Sequence, residues 1–332
     1  MAPMDRETVE LLGESLRQLL QDDDDRSLMD RLFEFGWEEA TADDPIAPLL
    51  LLFELKGSLL HADDVLNATL IARLAEALGD DALAAATLVL PDTLSASSPA
   101  LSRDGNTARL AGIALTDPGA GALVLPIEGG IAIAKTAGRL ERSPVEGFDP
   151  DGGLVGLRGA LPVDELVLHQ GAAVAAAWES TVGRARWLVA AELLGVGRRV
   201  LEDAVAYTIT RKQYGVAIGS FQALQHRMAS AHASLVGAGR VVDEAAASGS
   251  PWVATLAKAL AGRASEEACT QAQQAWGALG FTWEQDFHRY LRRCYALDRL
   301  FGDYRTLEFE IGAELQTSRR VTRVGSAAGV EG

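Results

Sequence analysis

A proline-free stretch of helical character, residues 173–212, constrains the fold of this chain more than any other feature of its sequence. An unbroken helix of that length would span on the order of 60 Å at about 1.5 Å per residue, which is typical of the spine of a helical bundle. Pro251 stands where the first turn of a later helix tolerates proline. The later helical patterns cover residues 222–247, 252–279, 284–300 and 305–319. Because such helices can bury alanine-rich faces against one another, the sequence predicts a C-terminal antiparallel four-helix bundle over residues 172–320.

The rest of the chain divides into two parts with different patterns of apolar residues. Residues 1–80 carry apolar residues at helical spacing, which predicts an N-terminal helical region. Residues 81–171 contain short β-type runs separated by turn formers such as Gly129-Gly130. The runs are residues 86–90, 108–115, 122–126, 131–134, 154–157 and 165–168. They predict a small central antiparallel β-domain, so the expected fold class is α+β, and the segment 321–332 is expected to be a disordered tail.

Composition excludes several classes of partner. The chain has 30 basic and 46 acidic residues, and its net charge of −16 would repel nucleic acid backbones and anionic lipid surfaces. The chain contains no run of about 18 apolar residues, and its first residues lack the basic-then-apolar pattern of a signal peptide. Cys269 and Cys294 lie outside metal-ligand spacing and are expected to be buried thiols. We therefore expect a cytoplasmic protein that binds no nucleic acid, membrane or metal.

The most informative segment joins two of the predicted helices and reads RKQYGVAIGSFQ from Arg211 to Gln222. It places two cations at a helix C-terminus, an aromatic ring beside them, two glycines in a tight loop and an amide at the start of the next helix. Such a loop can hold a diphosphate through its charge, its backbone N–H groups and the positive end of the next helix. The alternative is that Arg211 and Lys212 only complement the helix dipole, while Gly215 and Gly219 shape the turn. The spacing alone leaves both interpretations open.

This segment resembles the signature of the acyl-CoA dehydrogenase family. A second segment, QAWGALGFTWE from Gln274 to Glu284, resembles the family's Q-x-x-G-G-x-G-[FY] block. The resemblance is clear over roughly residues 183–315 and implies the family's helix–sheet–helix fold with FAD as the cofactor. It also implies side chains that reach across a subunit interface to the ADP part of a neighbour's FAD. The residues so implied are Arg211, Gln213, Tyr214, Gln222, Gln274 and Gly277.

The resemblance assigns these residues different parts of the dinucleotide. Arg211 would face the pyrophosphate, where its planar fork can donate to two oxygens at once. Tyr214 and Gln222 would line the adenosine side, and the second block would approach from the other helix. Ala278 stands where the family has a second glycine, which is a departure from the pattern.

The family's catalytic base is missing from this chain. In the family a glutamate removes the α-proton of an acyl thioester while hydride passes from the β-carbon to the flavin. The two positions that carry this glutamate in family members fall on Phe301 and Ala185, and neither side chain can accept a proton. Glu192, Glu179 and Asp303 are nearby carboxylates that could replace it. For Glu192, the competing interpretation is a polar contact inside the bundle.

The flavin-ring side departs from the family as well. Where family members carry a Thr-Glu-Pro type strand this sequence reads LVLPD from Leu88 to Asp92, and it has no Trp-Ile-Thr type strand. A retained ADP side and a lost ring side resemble the smaller, non-catalytic subunit of heteromeric acyl-CoA dehydrogenases of actinobacterial steroid degradation. The implied assembly is an α2β2 heterotetramer.

In such an assembly a larger acyl-CoA dehydrogenase subunit carries the catalytic glutamate and binds most of the acyl-CoA, and an electron-transfer flavoprotein is the acceptor. Two alternatives stay open at this point. One is a self-sufficient homomeric acyl-CoA dehydrogenase with a displaced base such as Glu192. The other is a non-enzymatic assembly protein that has the same fold.

Overall fold

The chain begins with helices, continues with a β-sheet and ends with helices again. This order comes from a computed structural model that describes residues 6–22, 24, 26–94, 100–145 and 149–318. It agrees with the α+β class predicted from the sequence. The expected tail at 321–332 lies outside the described residues, and the domain limits at residues 80 and 171 stay predictions.

Within the described residues, five helices form the N-terminal region, which the apolar spacing predicts to be helical. They are α1 (Arg6–Gln21), α2 (Leu28–Phe35), α3 (Trp37–Ala42), α4 (Ala47–Leu59) and α5 (Val65–Leu78). Ser27 begins α2 by accepting a hydrogen bond from the Met29 amide at 3.2 Å, and Gly36 ends it in the left-handed conformation. Leu16 and Leu32 are fully buried between these helices and the rest of the core.

Within the described residues the central sheet has eight strands. They are β1 (Thr87–Pro91), β2 (Leu101–Asp104), β3 (Thr107–Ala114), β4 (Leu123–Ile127), β5 (Gly130–Ala134), β6 (Glu141–Pro144), β7 (Val155–Pro162) and β8 (Leu166–Gln170). Their order is β6-β7-β3-β1-β4-β5-β8, with β2 beside β3. β1 pairs with β4 in parallel, and the other pairs are antiparallel. The prediction of an antiparallel sheet is therefore wrong for this one pair. The chain leaves β1, forms the β2–β3 hairpin on one side and crosses to the other side before β4.

Two of these strands, β2 and β6, were not predicted from the sequence. Each has only four residues. All four residues of β6 are exposed, so this strand lacks the alternation of buried and exposed positions that identifies a strand. β2 is held by its hairpin with β3, whose turn has Gly105 at φ 61°. Both strands therefore form because they pair with neighbouring strands, and not because of a local sequence pattern.

The C-terminal region is helical, with one short hairpin after its first helix. The elements are α6 (Ala172–Thr210), β9 (Lys212–Gln213), β10 (Val216–Ala217), α7 (Gln222–Ser248), α8 (Pro251–Trp276), α9 (Phe287–Arg299) and α10 (Tyr304–Ser318). α6 is the long helix that the proline-free stretch predicts. α7 runs back along α6, and α8 runs parallel to α6, with Ser265 beside Gly197. Cys269 and Cys294 are both buried, as expected. None of the described helices is long and apolar enough to cross a lipid bilayer.

Two glycines allow α4 and α6 to approach each other closely. A Cβ on Gly57 would overlap the carbonyl oxygen of Glu192, and a Cβ on Gly195 would overlap that of Glu54. Only glycine lets the two backbones come this near. The crossing brings Lys56 of α4 beside Glu192 of α6, which matters for the charged cluster described below.

Candidate cofactor-contact site

The segment after α6 folds into a small hairpin with an open tip. Tyr214 and Gly215 occupy the tip with φ of 53° and 83°, in the left-handed region that glycine tolerates best. The pairs Val216–Gln213 and Ala217–Lys212 close the hairpin. The Tyr214 side chain is 94% exposed, and a Cβ on Gly215 would meet nothing within 4 Å. The hairpin thus projects from the bundle and leaves its tip accessible to another molecule.

Arg211 stands at the junction of α6 and the hairpin. Its amide donates to the Tyr207 carbonyl at 2.9 Å, and its own carbonyl accepts from the Ile218 amide at 2.8 Å. These two bonds fix its backbone. Its side chain is exposed, and within the described part of the chain the guanidinium has no hydrogen-bond or ion-pair partner. An exposed guanidinium on a fixed backbone is suited to a phosphate or carboxylate of a second molecule.

Gln222 is the first residue of α7 and follows the hairpin directly. The helix begins without a side-chain cap, so the first N–H groups of this 27-residue helix have no side-chain acceptor. The turn before it is rigid, because the Gln225 amide side chain donates to the Gly219 carbonyl at 2.9 Å. An anion placed next to this helix start would be stabilised by the helix dipole.

The second predicted block lies at the end of α8. Gln274 is exposed in the last turn, and Gly277 follows the helix with φ 58° and ψ −130°, a conformation that is essentially restricted to glycine. The Tyr207 ring of α6 stacks on the Trp276 ring of α8, with ring centroids 4.3 Å apart and planes 25° apart. The stack brings the ends of α6 and α8 together. The hairpin residues, Gln222, Gln274 and Gly277 therefore all belong to one end of the bundle.

Phe301, which the resemblance places at the position of the family's catalytic glutamate, is fully buried. Its amide donates to the Leu94 carbonyl at 2.9 Å, and its carbonyl accepts from Nε of Arg186 at 3.2 Å. Leu94 closely follows β1, where the resemblance places a flavin-facing strand. The backbone at the base position is therefore closed against the segment after β1, and the phenyl ring belongs to the hydrophobic core.

A buried lysine holds the same loop from the other side. Nζ of Lys258 donates to the Asp298 carbonyl at 2.9 Å and to the Gly302 carbonyl at 3.2 Å, and it lies 3.4 Å from the Asp298 carboxylate. Lys258 is completely buried, and this burial lowers the pKa of its ammonium group. The Asp298 carboxylate also accepts from the Tyr304 amide. The residues around Phe301 are thus held in one conformation by several hydrogen bonds.

The other positions considered for a base differ in how accessible they are. Ala185 is fully buried. The Asp303 carboxylate begins α10 by accepting from the amide and the hydroxyl of Thr306, at 3.1 and 2.9 Å. Burial alone would raise the pKa of Asp303, but the hydrogen bonds from Thr306 hold it below its ordinary value. Glu179 is exposed on the first half of α6.

Glu192 lies in a buried charged cluster rather than on an open surface. Its carboxylate is 3.4 Å from Arg293 and 3.7 Å from Nζ of Lys56. Lys56 also contacts Asp63 at 2.9 Å, and Arg293 contacts Asp149 at 2.6 Å. The contact between Arg293 and Asp149 is close but not aligned as a hydrogen bond, so we treat it as an ion pair. The structure therefore agrees with the interpretation of Glu192 as a polar contact inside the bundle.

The cluster contains three carboxylates for two cations. Burial raises the pKa of Glu192, and the nearby Lys56 and Arg293 offset this only in part. Burial would also raise the pKa of Asp63, but the Lys56 ammonium group beside it holds that pKa below its ordinary value. The folded chain therefore binds a proton at Glu192 more tightly than an unfolded chain does.

Sequence reasoning missed several charged residues whose side chains are buried. Among the described residues they include Arg31, Lys56, Asp63, Asp149, Lys258, Arg293 and Asp298. Lys258 carried a usable signal, because it shares a helix face with Ala254 and Ala261. A lone lysine on an alanine face must find acceptors inside the protein. Asp63 and Asp149 gave no such signal, since both follow the ends of secondary-structure elements, where aspartate is common.

The residues present fit one part of FAD and not the other. The exposed Arg211, the uncapped start of α7 and the open approach at Gly215 and Gly277 fit the ADP part. The flavin part does not fit, because β1 is buried at all five positions and Phe301 occupies the base position. FAD supplies the hydride acceptor in the family's reaction. Among the described residues, the exposed side chains of the hairpin fit the ADP part of FAD, whereas neither Phe301 nor Ala185 can accept a proton.

Comparison with known proteins identifies the fold and the C-terminal family. Residues 170–306 match the family described as acyl-CoA dehydrogenase, C-terminal domain. The acyl-CoA dehydrogenase IpdE2 of Mycobacterium tuberculosis is 33% identical over 211 residues, which cover 60% of this chain and 63% of that protein. IpdE2 of Mycolicibacterium smegmatis is 38% identical over 128 residues, which cover 37% of this chain and 41% of that protein. The matches thus span less than two thirds of these relatives.

Solved structures extend the similarity over almost the whole chain. The acyl-CoA dehydrogenase from Geobacillus kaustophilus has a TM-score of 0.74 at 15% identity, covering 95% of this chain and all (100%) of that chain. A chain of the ChsE4-ChsE5 complex from Mycobacterium tuberculosis has a TM-score of 0.72 at 20% identity, covering 95% of this chain and 99% of that chain. The chain therefore has the acyl-CoA dehydrogenase fold, and its residues 170–306 match the acyl-CoA dehydrogenase C-terminal domain family.

Proposed function

We propose that this chain is a subunit of a flavin-dependent acyl-CoA dehydrogenase that contributes ADP-side contacts to FAD and leaves proton abstraction to a partner subunit. One contrast carries the proposal. The base position is occupied by a fully buried Phe301 with both backbone polar groups engaged, whereas Arg211 is exposed and unpaired within the described residues. The acyl-CoA dehydrogenase family and the two-chain ChsE4-ChsE5 complex among the structural relatives support it.

Dehydrogenation between the α- and β-carbons of an acyl-CoA requires a base near the α-carbon. Phe301 and Ala185 cannot act as that base, so the glutamate comes from a larger acyl-CoA dehydrogenase subunit, which also binds most of the substrate. The assembly is an α2β2 heterotetramer that passes electrons to an electron-transfer flavoprotein. The steroid-derived nature of the acyl group follows from the resemblance alone.

The residues of the site contact different parts of the dinucleotide in this proposal. Arg211 binds the pyrophosphate, and the start of α7 adds N–H donors and a positive dipole to the same charge. Tyr214 and Gln222 flank the adenosine. Gln274 and Gly277 approach the dinucleotide from the end of α8, and Gln213 is the remaining residue of the proposed cofactor contacts.

A homomeric enzyme that uses Glu192 is less well supported. The Glu192 carboxylate is buried between Lys56 and Arg293, in a cluster whose three carboxylates outnumber its two cations. Delivering this carboxylate to a substrate would break two buried ion pairs, and each broken buried pair costs on the order of 3–5 kcal/mol. The remaining alternative is an assembly protein that makes no contact with the cofactor. The experiment described next distinguishes it from the proposed function.

The experiment measures flavin in the complex of this chain with a larger acyl-CoA dehydrogenase subunit. Arg211→Ala should lower the flavin absorbance per mole of complex and the turnover, while light scattering shows an intact assembly. Arg73→Ala removes a half-exposed arginine of α5 and serves as the control, so it should keep full flavin. Full flavin in the Arg211→Ala complex would refute the ADP role. Stoichiometric FAD in the isolated chain would instead favour the homomeric alternative, and loss of its turnover in Glu192→Gln would identify that base.

A further inference from the structure

Two aromatic rings join the ends of the helices that lead into the cofactor-contact segments. Tyr207 lies in the last turn of α6, and Trp276 is the last residue of α8. Their ring centroids are 4.3 Å apart, their planes are inclined by 25°, and both side chains are half-buried. Stacked aromatic rings attract each other beyond the apolar area that they bury. The contact therefore holds the end of α6 at a defined position relative to the end of α8.

Tyr207 is connected to Arg211 through the backbone. The Arg211 amide donates to the Tyr207 carbonyl at 2.9 Å, and the Thr210 hydroxyl donates to the same carbonyl at 3.1 Å. Because Arg211 comes one helical turn after Tyr207, a shift of the Tyr207 ring would move the base of the hairpin with it. The position of the Arg211 guanidinium thus depends on where the Tyr207 ring lies.

Trp276 is connected in the same way to the second cofactor-contact segment. Gly277 follows it directly, and the Gly277 amide donates to the Gln273 carbonyl. The next turn folds back onto the tryptophan, since a Cβ on Gly280 would lie 3.2 Å from the Cβ of Trp276. An open cleft of about 630 Å³ lies beside the two rings, on the side of α9. Packing on that side would therefore not replace the contact if one ring were removed.

We propose that Tyr207 is a positioning residue for the cofactor, because its stacking on Trp276 fixes the spacing between Arg211 and the turn at Gly277. This role rests on the proposed function, in which both segments contact the ADP part of one FAD. A ligand held at two points binds more tightly when the two points are already at the right distance, since less order has to be gained on binding. Tyr207 itself needs no contact with the cofactor for this role.

The test measures the dissociation constant of FAD in the complex of this chain with the larger acyl-CoA dehydrogenase subunit. Flavin-free complex is titrated with FAD, and binding is followed by the change in flavin fluorescence. Tyr207→Leu should raise the dissociation constant by about threefold to tenfold, the range that corresponds to one aromatic pair. Tyr207→Phe is the matched control, because it retains the ring and should bind FAD as the unmodified chain does. Light scattering and thermal unfolding check that each complex is intact.

A double-mutant cycle distinguishes positioning from a general loss of packing. In the Arg211→Ala background, Tyr207→Leu should change the dissociation constant by less than about twofold, since the guanidinium that Tyr207 positions is absent. An undiminished effect in that background would overturn the proposal, and so would an unchanged dissociation constant in Tyr207→Leu. An equal loss in Tyr207→Phe would assign the effect to the hydroxyl group and overturn the role of the stacked ring.

Failure of the proposed function is distinguishable from failure of the positioning role. Full FAD affinity in Arg211→Ala would refute the ADP role. Weakened FAD binding in Arg211→Ala together with unchanged binding in Tyr207→Leu would refute the positioning role alone. If Tyr207→Leu does not assemble, Trp276→Leu removes the same contact from the other helix, and it should weaken FAD binding by a similar factor.

Discussion

Removing the guanidinium of Arg293 tests whether the buried charged cluster stabilises the fold. In Arg293→Met, the Asp149 and Glu192 carboxylates would lose the cation that lies 2.6 and 3.4 Å away. Breaking a buried ion pair by removing one partner costs about 3–5 kcal/mol. The unfolding entropy of a chain of 332 residues is roughly 0.7 kcal/mol per kelvin at about 2.1 cal/mol/K per residue. The midpoint of thermal unfolding should therefore fall by roughly 4–7 °C.

Glu192→Gln is the matched control within the same cluster. It removes one of three carboxylates and leaves two cations with two carboxylates, so it should cost less than about 1.5 kcal/mol, the scale of one ordinary hydrogen bond. Urea unfolding followed by circular dichroism, together with calorimetry, measures both variants. A loss below about 1 kcal/mol in Arg293→Met, or an equal loss in the two variants, would refute the view that unpaired buried carboxylates dominate the cost.

Two further predictions follow from pKa shifts and backbone geometry. Because burial raises the pKa of Glu192 above its ordinary 4.5, ionisation of this group costs stability as the pH rises above that value. The stability of Glu192→Gln relative to the unmodified chain should therefore increase between pH 4.5 and pH 7, and an unchanged difference in urea unfolding would contradict the raised pKa. Gly277→Ala should lower the free energy of unfolding by about 1–3 kcal/mol because of its positive φ. Gly237→Ala, in the open middle of α7, should raise the free energy of unfolding by up to about 1 kcal/mol. A less stable Gly237→Ala than Gly277→Ala would contradict the view that the end of α8 requires glycine.

Much of the fold follows from local patterns in the sequence. The proline-free stretch predicted α6 to within two residues at its C-terminus, and Pro251 stands in the first turn of α8 as expected. Helices and most strands depend on the spacing of apolar residues along a short segment, so they can be predicted without knowing what they contact. The start of α9 was predicted three residues early, at residue 284 instead of Phe287, because helix ends depend on their surroundings.

The candidate site likewise combines features that the local sequence predicts with features that depend on the tertiary structure. The predictions that Phe301 stands at the base position and that the Arg211 segment contacts a diphosphate depend on residue types together with the resemblance to the family. That the segment is an open hairpin, and that Tyr207 stacks on Trp276 beside it, depends on chain segments that are distant in sequence. The roles of the individual residues towards FAD stay predictions until the flavin content of the variants is measured.

The sequence by itself determined the helix–sheet–helix order, and its resemblance to the family predicted a missing base and the residues that would contact a dinucleotide. Only the tertiary structure decided the parallel pairing of β1 with β4, the closure of Phe301 against Leu94 and the burial of Glu192 between Lys56 and Arg293. The physical reason is that a buried charge or an inter-strand bond is specified by its partner. Such partners lie in other elements, and glycines such as Gly57 and Gly195 decide how closely those elements approach.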